Sequence, residues 1–328
     1  MKETAVLVPL ALLLVPGRGR RGPLLIPLAA LAGWFGYYHH QTGYWLGNPQ
    51  YFAYNVATTL SLPRIALALL RRVWQLTLYD GMAALTVLAL VARWRARGRS
   101  RPFPRAWIAV VAVYLGFHAL VGGAVLARYL LPALALYLIW VAEQLLRLPR
   151  RGVWITAAAA WLIAAWFWNP PFPYPYEDNL AYAQFVRLHQ AAAAALEAHA
   201  PAGTVWTAWP ATAELSRPEL GYVARPLAVH DLEDFSAASL AAARGQPAAL
   251  YLFSRVYEPR RDLSRALPFW ASWARRYFGF SPDAPAAAWL ERWRLQPIFH
   301  RAQGGQWVTV AVAVTRSARL RPGRAWRP

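Results

Sequence analysis

The sequence contains no cysteine, and lysine occurs once, at Lys2, against 34 arginines. Without cysteine the chain can form neither disulfide bonds nor thiolate-bound metal sites. The near absence of lysine favours a bacterial genome rich in G and C, in which arginine is the default basic residue. No glycine-rich phosphate loop, HExxH metal motif or nucleophile elbow is present, so the usual signatures of those three site types are missing.

Acidic residues are scarce in the first half of the chain. Residues 1–168 carry 17 Lys and Arg against three acids, Glu3, Asp80 and Glu143, whereas residues 169–328 carry 18 against 12. These three acids are too few to suggest a catalytic pair of carboxylates, because Glu3 is the only one well placed for a catalytic role. The net charge of +20 is a weak sign of nucleic-acid binding, because the second half has no basic stripe interleaved with stacking aromatic residues.

The arginines of the first half gather in three short segments between apolar stretches. The segments hold Arg18, Arg20 and Arg21; Arg93, Arg95, Arg97, Arg99, Arg101 and Arg105; and Arg147, Arg150 and Arg151. If each apolar stretch crosses a bilayer once, all three segments fall on the same side, which the positive-inside bias makes cytoplasmic. This pattern predicts six crossings, with both termini and everything after Trp168 outside the cytoplasm.

The apolar stretches set the predicted crossings. The first, Ala5–Pro16, is shorter than the roughly 20 residues that a spanning helix needs, so it is either a half-span buried among other helices or the end of a longer segment. The other crossings are predicted at Pro23–Tyr38, about Leu78–Ala92, Ala106–Val121, Tyr129–Leu146 and Val153–Trp168. No cleavable signal peptide is visible, because the first stretch lacks a small-residue cleavage site.

Between the second and third crossings, residues 39–78 predict an outside loop followed by an interfacial helix. From Arg64 to Leu78 four apolar residues recur at helical spacing opposite three arginines, a pattern typical of a helix lying on a membrane surface. The four are Ile65, Leu69, Val73 and Leu76, and the arginines are Arg64, Arg71 and Arg72.

The second half changes character at Asn169. A proline-aromatic linker, residues 169–176, precedes a region in which short strand-like runs alternate with helical ones. Strands are predicted at Thr204–Trp209, Ala248–Phe253 and Trp307–Val314, and helices at Phe185–His199, Ala237–Ala243 and Ala286–Trp293. The fold prediction is therefore an all-α membrane domain of about six transmembrane helices (1–168), a small extracytoplasmic α/β domain (169–315) and a basic disordered tail (316–328).

The loop from His39 to Asn55 is the densest cluster of functional side chains. His39, His40, Tyr44, Asn48 and Asn55 are candidates to hydrogen-bond a sugar or a lipid phosphate, with aromatic rings to stack on a sugar or a polyprenyl chain. A plain interfacial aromatic belt with a turn at Gly47-Asn48-Pro49 explains the same residues. A paired-histidine metal site is disfavoured, because no third ligand lies nearby in sequence.

Arg128 is the second candidate, at the turn between the fourth and fifth crossings. A cation there is suited to hold an anionic phosphate, while snorkelling of its guanidinium to lipid headgroups is the alternative. Lys2 and Glu3 form a third candidate, either as an ion pair at a helix end or as a charged terminus. The acids of the second half read as solvated surface or helix-cap residues.

Three of these segments together resemble the later part of bacterial C-type (GT-C) membrane glycosyltransferases, nearest to the protein-O-mannosyltransferase and lipid-linked aminoarabinose transferase branches. They are Lys2-Glu3-Thr4 before an apolar helix, the loop from His39 to Asn55, and Arg128-Tyr129-Leu130-Leu131-Pro132. The resemblance covers about residues 1–168, and the Arg-Tyr-Leu-Leu-Pro element carries most of it.

The resemblance implies transfer of a sugar from a polyprenyl-phosphate donor to a lipid, glycan or protein acceptor on the outer face of the membrane. It implies that Arg128 and Tyr129 bind the donor phosphate, and that Lys2, Glu3, His39, His40, Tyr44, Asn48 and Asn55 shape the sugar or acceptor site. The family's catalytic carboxylates lie in a first outside loop that this sequence does not contain. We therefore expect a C-terminal portion, truncated, mis-started or split from a partner, that is inactive alone.

The function expected is thus a membrane glycosyltransferase, or a C-terminal fragment of one, in the inner membrane of a bacterium. Its expected partners are the polyprenyl-phosphate sugar, membrane lipid and a separate N-terminal catalytic portion, with no nucleic acid. No cofactor is evident, and the sequence leaves a divalent metal open. The main alternative is a non-catalytic scaffold subunit of a cell-envelope glycan system. A transporter is disfavoured, because paired broken helices and mid-membrane ion pairs are missing.

Overall fold

The computed structural model describes residues 3–17, 21–45, 61–96, 103–121, 127–199, 201–259, 269, 272–273, 276–277 and 282–313. The chain divides into two units, and the division falls between Trp168 and Asn169. Unit 1 is Met1–Trp168 with Arg276–Phe278, and unit 2 is Asn169–Arg275 with Gly279–Pro328.

Unit 1 is helical because its apolar runs favour helix and its prolines stand mostly in first turns, where the missing N–H leaves no hydrogen bond unmade. Pro23, Pro63 and Pro132 occupy such positions. The elements are a 3₁₀ turn at Glu3–Val6, α1 (Leu7–Leu13), α2 (Gly22–Thr42), α3 (Leu62–Thr77), α4 (Met82–Arg95), α5 (Arg105–Val121), a 3₁₀ turn at Ala127–Leu130, α6 (Leu131–Leu145) and α7 (Arg151–Ala165).

The prediction of six membrane-spanning helices is wrong. Among the residues that the structure describes, no single helix is both long enough and apolar enough to cross a bilayer. The helices α4, α5, α6 and α7 hold 14, 17, 15 and 15 residues, whereas a crossing needs roughly 20. In α2, which is longer, the last turns are polar and aromatic. One pair, α3 with α4, meets the criterion jointly by length and composition, with a 73° bend between the two helices.

Helix α3 is amphipathic as its sequence indicates, and the side that packs against the rest of unit 1 carries Arg64 and Arg72. Arg64 and Arg72 are buried, at 5% and 0% exposure, while Leu69, Leu70 and Val73 are exposed. The arginine face of α3 packs against α5. The amphipathic pattern predicted the helix itself, but not which of its faces turns towards the rest of unit 1.

Two apolar clusters of described residues pack the helices of unit 1 together. Met82, Leu85 and Ala89 of α4 pack against Trp140, Val141 and Leu145 of α6. A second cluster joins Leu7 and Ala11 of α1 to Val110 and Tyr114 of α5 and to Ala133 of α6. Small alanines at these contacts let the helices approach closely.

Unit 2 contains a five-stranded mixed sheet in the order β2-β1-β3-β5-β4. Strands β2, β1 and β3 are parallel, and β5 runs antiparallel to both β3 and β4. The elements are a 3₁₀ turn at Tyr176–Asp178, α8 (Ala181–His199), β1 (Val205–Ala208), α9 (Ala211–Ser216), a 3₁₀ turn at Pro218–Leu220, β2 (Val229–Leu232), α10 (Ala237–Ala242), β3 (Ala249–Phe253), α11 (Ala286–Trp293), β4 (Leu295–Gln303) and β5 (Gln306–Ala313).

The core of unit 2 lies between the sheet and α8. Every residue of β3 is buried, as expected for a central strand with both faces covered. Phe185, Leu188 and Leu196 of α8 pack on the sheet, and Trp289 of α11 is fully buried. The three predicted strands and three predicted helices all lie close to observed ones, whereas β2, β4 and α9 were not predicted. The tail at 316–328 lies outside the described residues.

Candidate functional site

A pocket in unit 1 lies at the element that carries most of the family resemblance. Its volume is about 180 Å³. The described residues that line it come from both 3₁₀ turns, from α5 and from the start of α6: Thr4, Ala5, Tyr114, Arg128, Tyr129, Leu131 and Pro132. We call it the Arg128 pocket.

The walls of the Arg128 pocket are held by one hydrogen bond across a long stretch of sequence. The Tyr114 hydroxyl donates to the carbonyl oxygen of Thr4 at 2.8 Å, which ties the chain start to α5. Tyr114 itself is fully buried in the cluster that joins α1, α5 and α6. The pocket is therefore formed by packed elements and not by loops alone.

Positive charge converges on the Arg128 pocket from two sources. The Arg128 guanidinium carbon lies 5.7 Å from the ring centroid of Tyr129, and Arg128 is exposed. Leu131 and Pro132 belong to the first turn of α6, whose cap residue Leu130 makes no side-chain capping bond. A helix N-terminus presents free N–H groups and a partial positive charge, so both features favour an anion.

Behind Tyr129 lies a buried layer of further polar groups. The Tyr129 ring stacks on His118 of α5, with centroids 5.5 Å apart and planes inclined by 22°. His118 interacts electrostatically with Arg72, and Arg72 with Tyr129. Arg72 also donates from Nη1 to Gln75 Oε1 at 3.0 Å. This layer places a fully buried guanidinium close to the pocket wall, which raises the local positive potential.

Sequence reasoning missed Tyr114, His118 and Arg72 as parts of this site. A usable signal existed for His118, because it is an ionisable residue inside an otherwise apolar helix. No comparable signal marked Arg72, which directly follows another arginine, Arg71. Its burial depends on the packing of α3 against α5, which the sequence pattern does not reveal.

The other predicted site residues separate into two groups. His39 and His40 lie in the last turn of α2 and Tyr44 follows that helix; none of the three lines the Arg128 pocket. The His39 ring stacks on Trp45, with ring centroids 4.1 Å apart. Lys2, Asn48, Asn55 and the side chain of Glu3 lie outside the described residues. Of the predicted residues, the pocket therefore brings together Arg128 and Tyr129, beside Thr4 and Ala5, the two residues after Glu3.

A second pocket of unit 1 is larger, at about 510 Å³. The described residues that line it are Ala92, Arg95 and Ala96 at the end of α4 and Arg147, Leu148 and Pro149 after α6. We call it the Arg95 pocket. It contains none of the predicted site residues, but it joins two of the three arginine segments.

Unit 2 contains a buried histidine-glutamate pair. His189 Nδ1 lies 2.6 Å from Glu214 Oε2, and both side chains are almost fully buried. The rings of Phe185, Tyr251 and Phe253 surround His189. No lining residue of either pocket belongs to this pair, so we assign it to the stability of unit 2 and not to chemistry.

A second polar network of unit 2 lies beyond the carboxyl ends of β2 and β3. Asp234 accepts hydrogen bonds from the Ser236 amide and the Ser239 hydroxyl, and Arg255 donates to Asp283 at 2.5 Å. Arg255 also forms an ion pair with Asp234 at 3.9 Å, and so it connects the start of α10 to the segment before α11. No group of three or more metal-ligating side chains occurs in the described part of the chain.

Comparisons with known proteins add no assignment. No family model, no curated protein and no solved structure matches this chain. The pockets and the residues that form them are therefore the features of the molecule that bear on its function.

Proposed function

We propose that the chain is a GT-C-like glycosyltransferase, or the C-terminal portion of one, that binds a polyprenyl-phosphate sugar at the Arg128 pocket. The observation that supports this most is the meeting of Arg128 with the uncapped N-terminus of α6 in one pocket. Both favour a phosphate, and the remaining walls are largely apolar, as the start of a prenyl chain requires.

In this proposal Arg128 holds the phosphate that leaves during transfer. The bond between the sugar C1 and the phosphate oxygen breaks, a bond from C1 to the acceptor oxygen forms, and the acceptor proton goes to a base. Arg128 and the α6 N-terminus offset the charge that grows on the leaving phosphate. The Tyr129 ring, held between His118 and Arg128, keeps the guanidinium in position.

The base is proposed to come from a separate polypeptide. None of the described residues that line the Arg128 pocket is a carboxylate, and loss of a general base typically costs about 10²–10⁴-fold in rate. Addition of a partner that carries acidic residues should therefore raise transfer of labelled sugar by about that factor. Full transfer by the purified chain alone would contradict this part of the proposal.

The proposed location is the bacterial inner membrane, with unit 1 in contact with lipid and unit 2 on the extracytoplasmic side. Large apolar side chains are exposed on the helices of unit 1, and in a donor-binding protein lipid would cover them. Examples are Leu25 and Ile26 on α2, Leu70 on α3, Val87 on α4 and Ile163 on α7.

The donor site is tested by titrating undecaprenyl phosphate into the purified full chain in detergent. We expect Arg128→Ala to weaken binding about 10- to 100-fold, since a charge-assisted hydrogen bond contributes about 1.5–3 kcal/mol. Arg128→Lys should lose less, because it keeps the charge but not the guanidinium geometry. Arg105→Ala, at an exposed position at the start of α5, is the control and should bind as the parent does. Unchanged binding by Arg128→Ala would overturn the proposal.

A non-catalytic scaffold subunit is the second candidate. It is favoured by the scarcity of acidic residues in residues 1–168, which hold only three and so offer little for catalysis. The two candidates differ in one measurement. A scaffold would recruit an envelope partner without binding undecaprenyl phosphate, so that the titration above would show no saturable site in the parent chain.

A further inference from the structure

The Arg95 pocket joins two arginine segments that lie far apart in the sequence. Arg95 ends α4, and Arg147 follows the end of α6. The two helices pack against each other through Met82, Leu85 and Ala89 on one side and Trp140, Val141 and Leu145 on the other. That packing places both arginines on the rim of one pocket of about 510 Å³.

Arg95 and Arg147 both line the pocket, and few described protein groups compete for their charges. Among the described residues Arg95 makes no side-chain hydrogen bond or ion pair, and Arg147 makes only a long contact to Gln144 Oε1 at 3.4 Å. Glu143 is the one acid on α6, and among the described residues it forms no ion pair with Arg147. Two uncompensated positive charges on one concave surface favour an anion.

The remaining walls of the Arg95 pocket are apolar, formed by Ala92, Ala96, Leu148 and Pro149. Beside it, the last turns of α4 and the end of α6 expose large apolar side chains. These are Leu90, Val91, Trp94 and Leu146. A ligand that suits both features has an anionic phosphate head and a hydrocarbon tail.

We infer that the Arg95 pocket is a binding site for the headgroup of an anionic phospholipid. Arg95 and Arg147 bind the phosphate between them, and the exposed apolar residues next to the pocket contact the acyl chains. Basic pockets between packed helices bind anionic lipid headgroups in membrane proteins. The site is separate from the Arg128 pocket, shares no lining residue with it and does not depend on the proposed sugar transfer.

The two arginines also lie at helix C-termini, where positive charge stabilises the helix dipole in the absence of any ligand. Stability and lipid binding must therefore be measured separately. A soluble phosphate is the other source of the same chemistry, and the test distinguishes it from a lipid.

The experiment uses the purified full chain in a zwitterionic detergent. A short-chain phosphatidylglycerol, the matching phosphatidylcholine and inorganic phosphate alone are each titrated, and the melting temperature is recorded in parallel. The parent should bind phosphatidylglycerol in preference to phosphatidylcholine, with inorganic phosphate at millimolar concentration neither binding nor displacing it.

Two double variants are compared. The first combines Arg95→Gln with Arg147→Gln, and the second, the control, combines Arg150→Gln with Arg151→Gln. The second pair removes the same charge from the arginine segment that contains Arg147, at exposed positions that do not line the pocket. We expect the first pair to lose about 30-fold in phosphatidylglycerol affinity and the second to lose little.

Three results would overturn the inference. Equal losses in both pairs would mean that affinity follows net charge and not the pocket. A lowered melting temperature with unchanged lipid affinity would mean that the arginines serve the helix ends alone. Displacement of the lipid by inorganic phosphate would mean that the site takes a soluble phosphate.

Discussion

Single buried polar residues differ between the two units in what they contact. In unit 1, Arg72 and His118 lie behind the Arg128 pocket, where their groups act on the site through the ring of Tyr129. In unit 2, His189 contacts Glu214 inside a ring of aromatic side chains. The first arrangement adds positive potential next to a pocket, and the second gives one nitrogen of a buried histidine, Nδ1, a carboxylate partner in a closed core.

The pair in unit 2 predicts a stability effect at one residue. Glu214→Ala leaves the buried His189 ring without its 2.6 Å partner, which should cost about 1–3 kcal/mol. Hydrogen exchange of the full chain would detect this as easier opening of α8 and β3. Glu219→Ala, at an exposed position nearby, is the control and should change the opening free energy by less than about 0.5 kcal/mol. Equal effects of the two variants would contradict the role of the pair.

Asp234 and Asp283 are expected to respond to pH in opposite directions. Burial alone raises the pKa of Asp234, but hydrogen bonds from Ser236 and Ser239 and the charge of Arg255 outweigh it, so the pKa lies below its usual value of 3.8. Burial raises the pKa of Asp283 above 3.8, despite its bond to Arg255.

The sign of each contribution follows from linkage. Asp234 stabilises unit 2 above the unfolded pKa, and that stability is lost as pH falls through the folded pKa. The contribution of Asp283 is present below the unfolded pKa and is lost as pH rises through the folded one. As pH falls from about 6 to about 3, the stability advantage of the parent over Asp234→Asn should shrink, and its advantage over Asp283→Asn should grow. Hydrogen exchange of α10 and β3 measures both, and slopes of the same sign would contradict the assignment.

At the scale of elements, the orientation of α3 carries the most information about unit 1. Its sequence alternates apolar and basic positions at helical spacing, so local pattern predicts an amphipathic helix. Arg64 and Arg72 are buried on the side of α3 that packs against α5, whereas Leu69 and Leu70 are exposed. Only contacts between elements distant in sequence determine that choice.

The hairpin between β4 and β5 offers a test at the same scale. Gly305 has φ +80, and a Cβ there would overlap the ring of Tyr257 and approach the Glu258 carbonyl oxygen to 2.7 Å. Gly221 has φ +79 but open space around it. Gly221→Ala should therefore cost only the left-handed backbone penalty of about 1–2 kcal/mol, and Gly305→Ala about 1–3 kcal/mol more.

Thermal unfolding of the full chain, with hydrogen exchange of β4 and β5, checks the difference between the two glycine variants. The comparison separates backbone strain from steric overlap, because the two glycines share nearly the same φ. If both variants lose the same stability, the contact with Tyr257 does not constrain the hairpin.

At the scale of the whole molecule, net positive charge is concentrated in residues 1–168, because the basic residues are divided evenly (17 of 35) but only three of the 15 acids lie there. Because the net charge is +20, we expect the chain to associate with vesicles that contain anionic lipid. The association should weaken as the salt concentration rises, because the Debye length falls from about 10 Å at 0.1 M to about 3 Å at 1 M. Co-sedimentation over this range measures the effect. Zwitterionic vesicles are the control, and binding that does not change with salt would contradict the expectation.

Several elements were readable from local sequence because short-range patterns specify them. Helix α8 is rich in alanine, β3 is a short apolar run, and α11 follows Pro285 with apolar residues at helical spacing. The edge strands β2 and β4 were not readable, since β2 contains His230 and Asp231 and β4 contains Pro297 and Arg301. Such polar strands are recognised only by the partner strand with which they pair.

The sequence by itself determined that the chain has two compositionally distinct halves and that the first is helical and basic. It also marked Arg128 and Tyr129 as candidate phosphate-binding residues. Tertiary structure decided which helix faces are buried, how the strands pair, and that Arg95 and Arg147 share one pocket. The physical reason is that propensity and periodicity act over a few residues, whereas burial and charge proximity depend on contacts between distant parts of the chain. The length of α4, α5, α6 and α7 shows the same limit, because hydropathy marked these segments as apolar but did not predict where each helix would end.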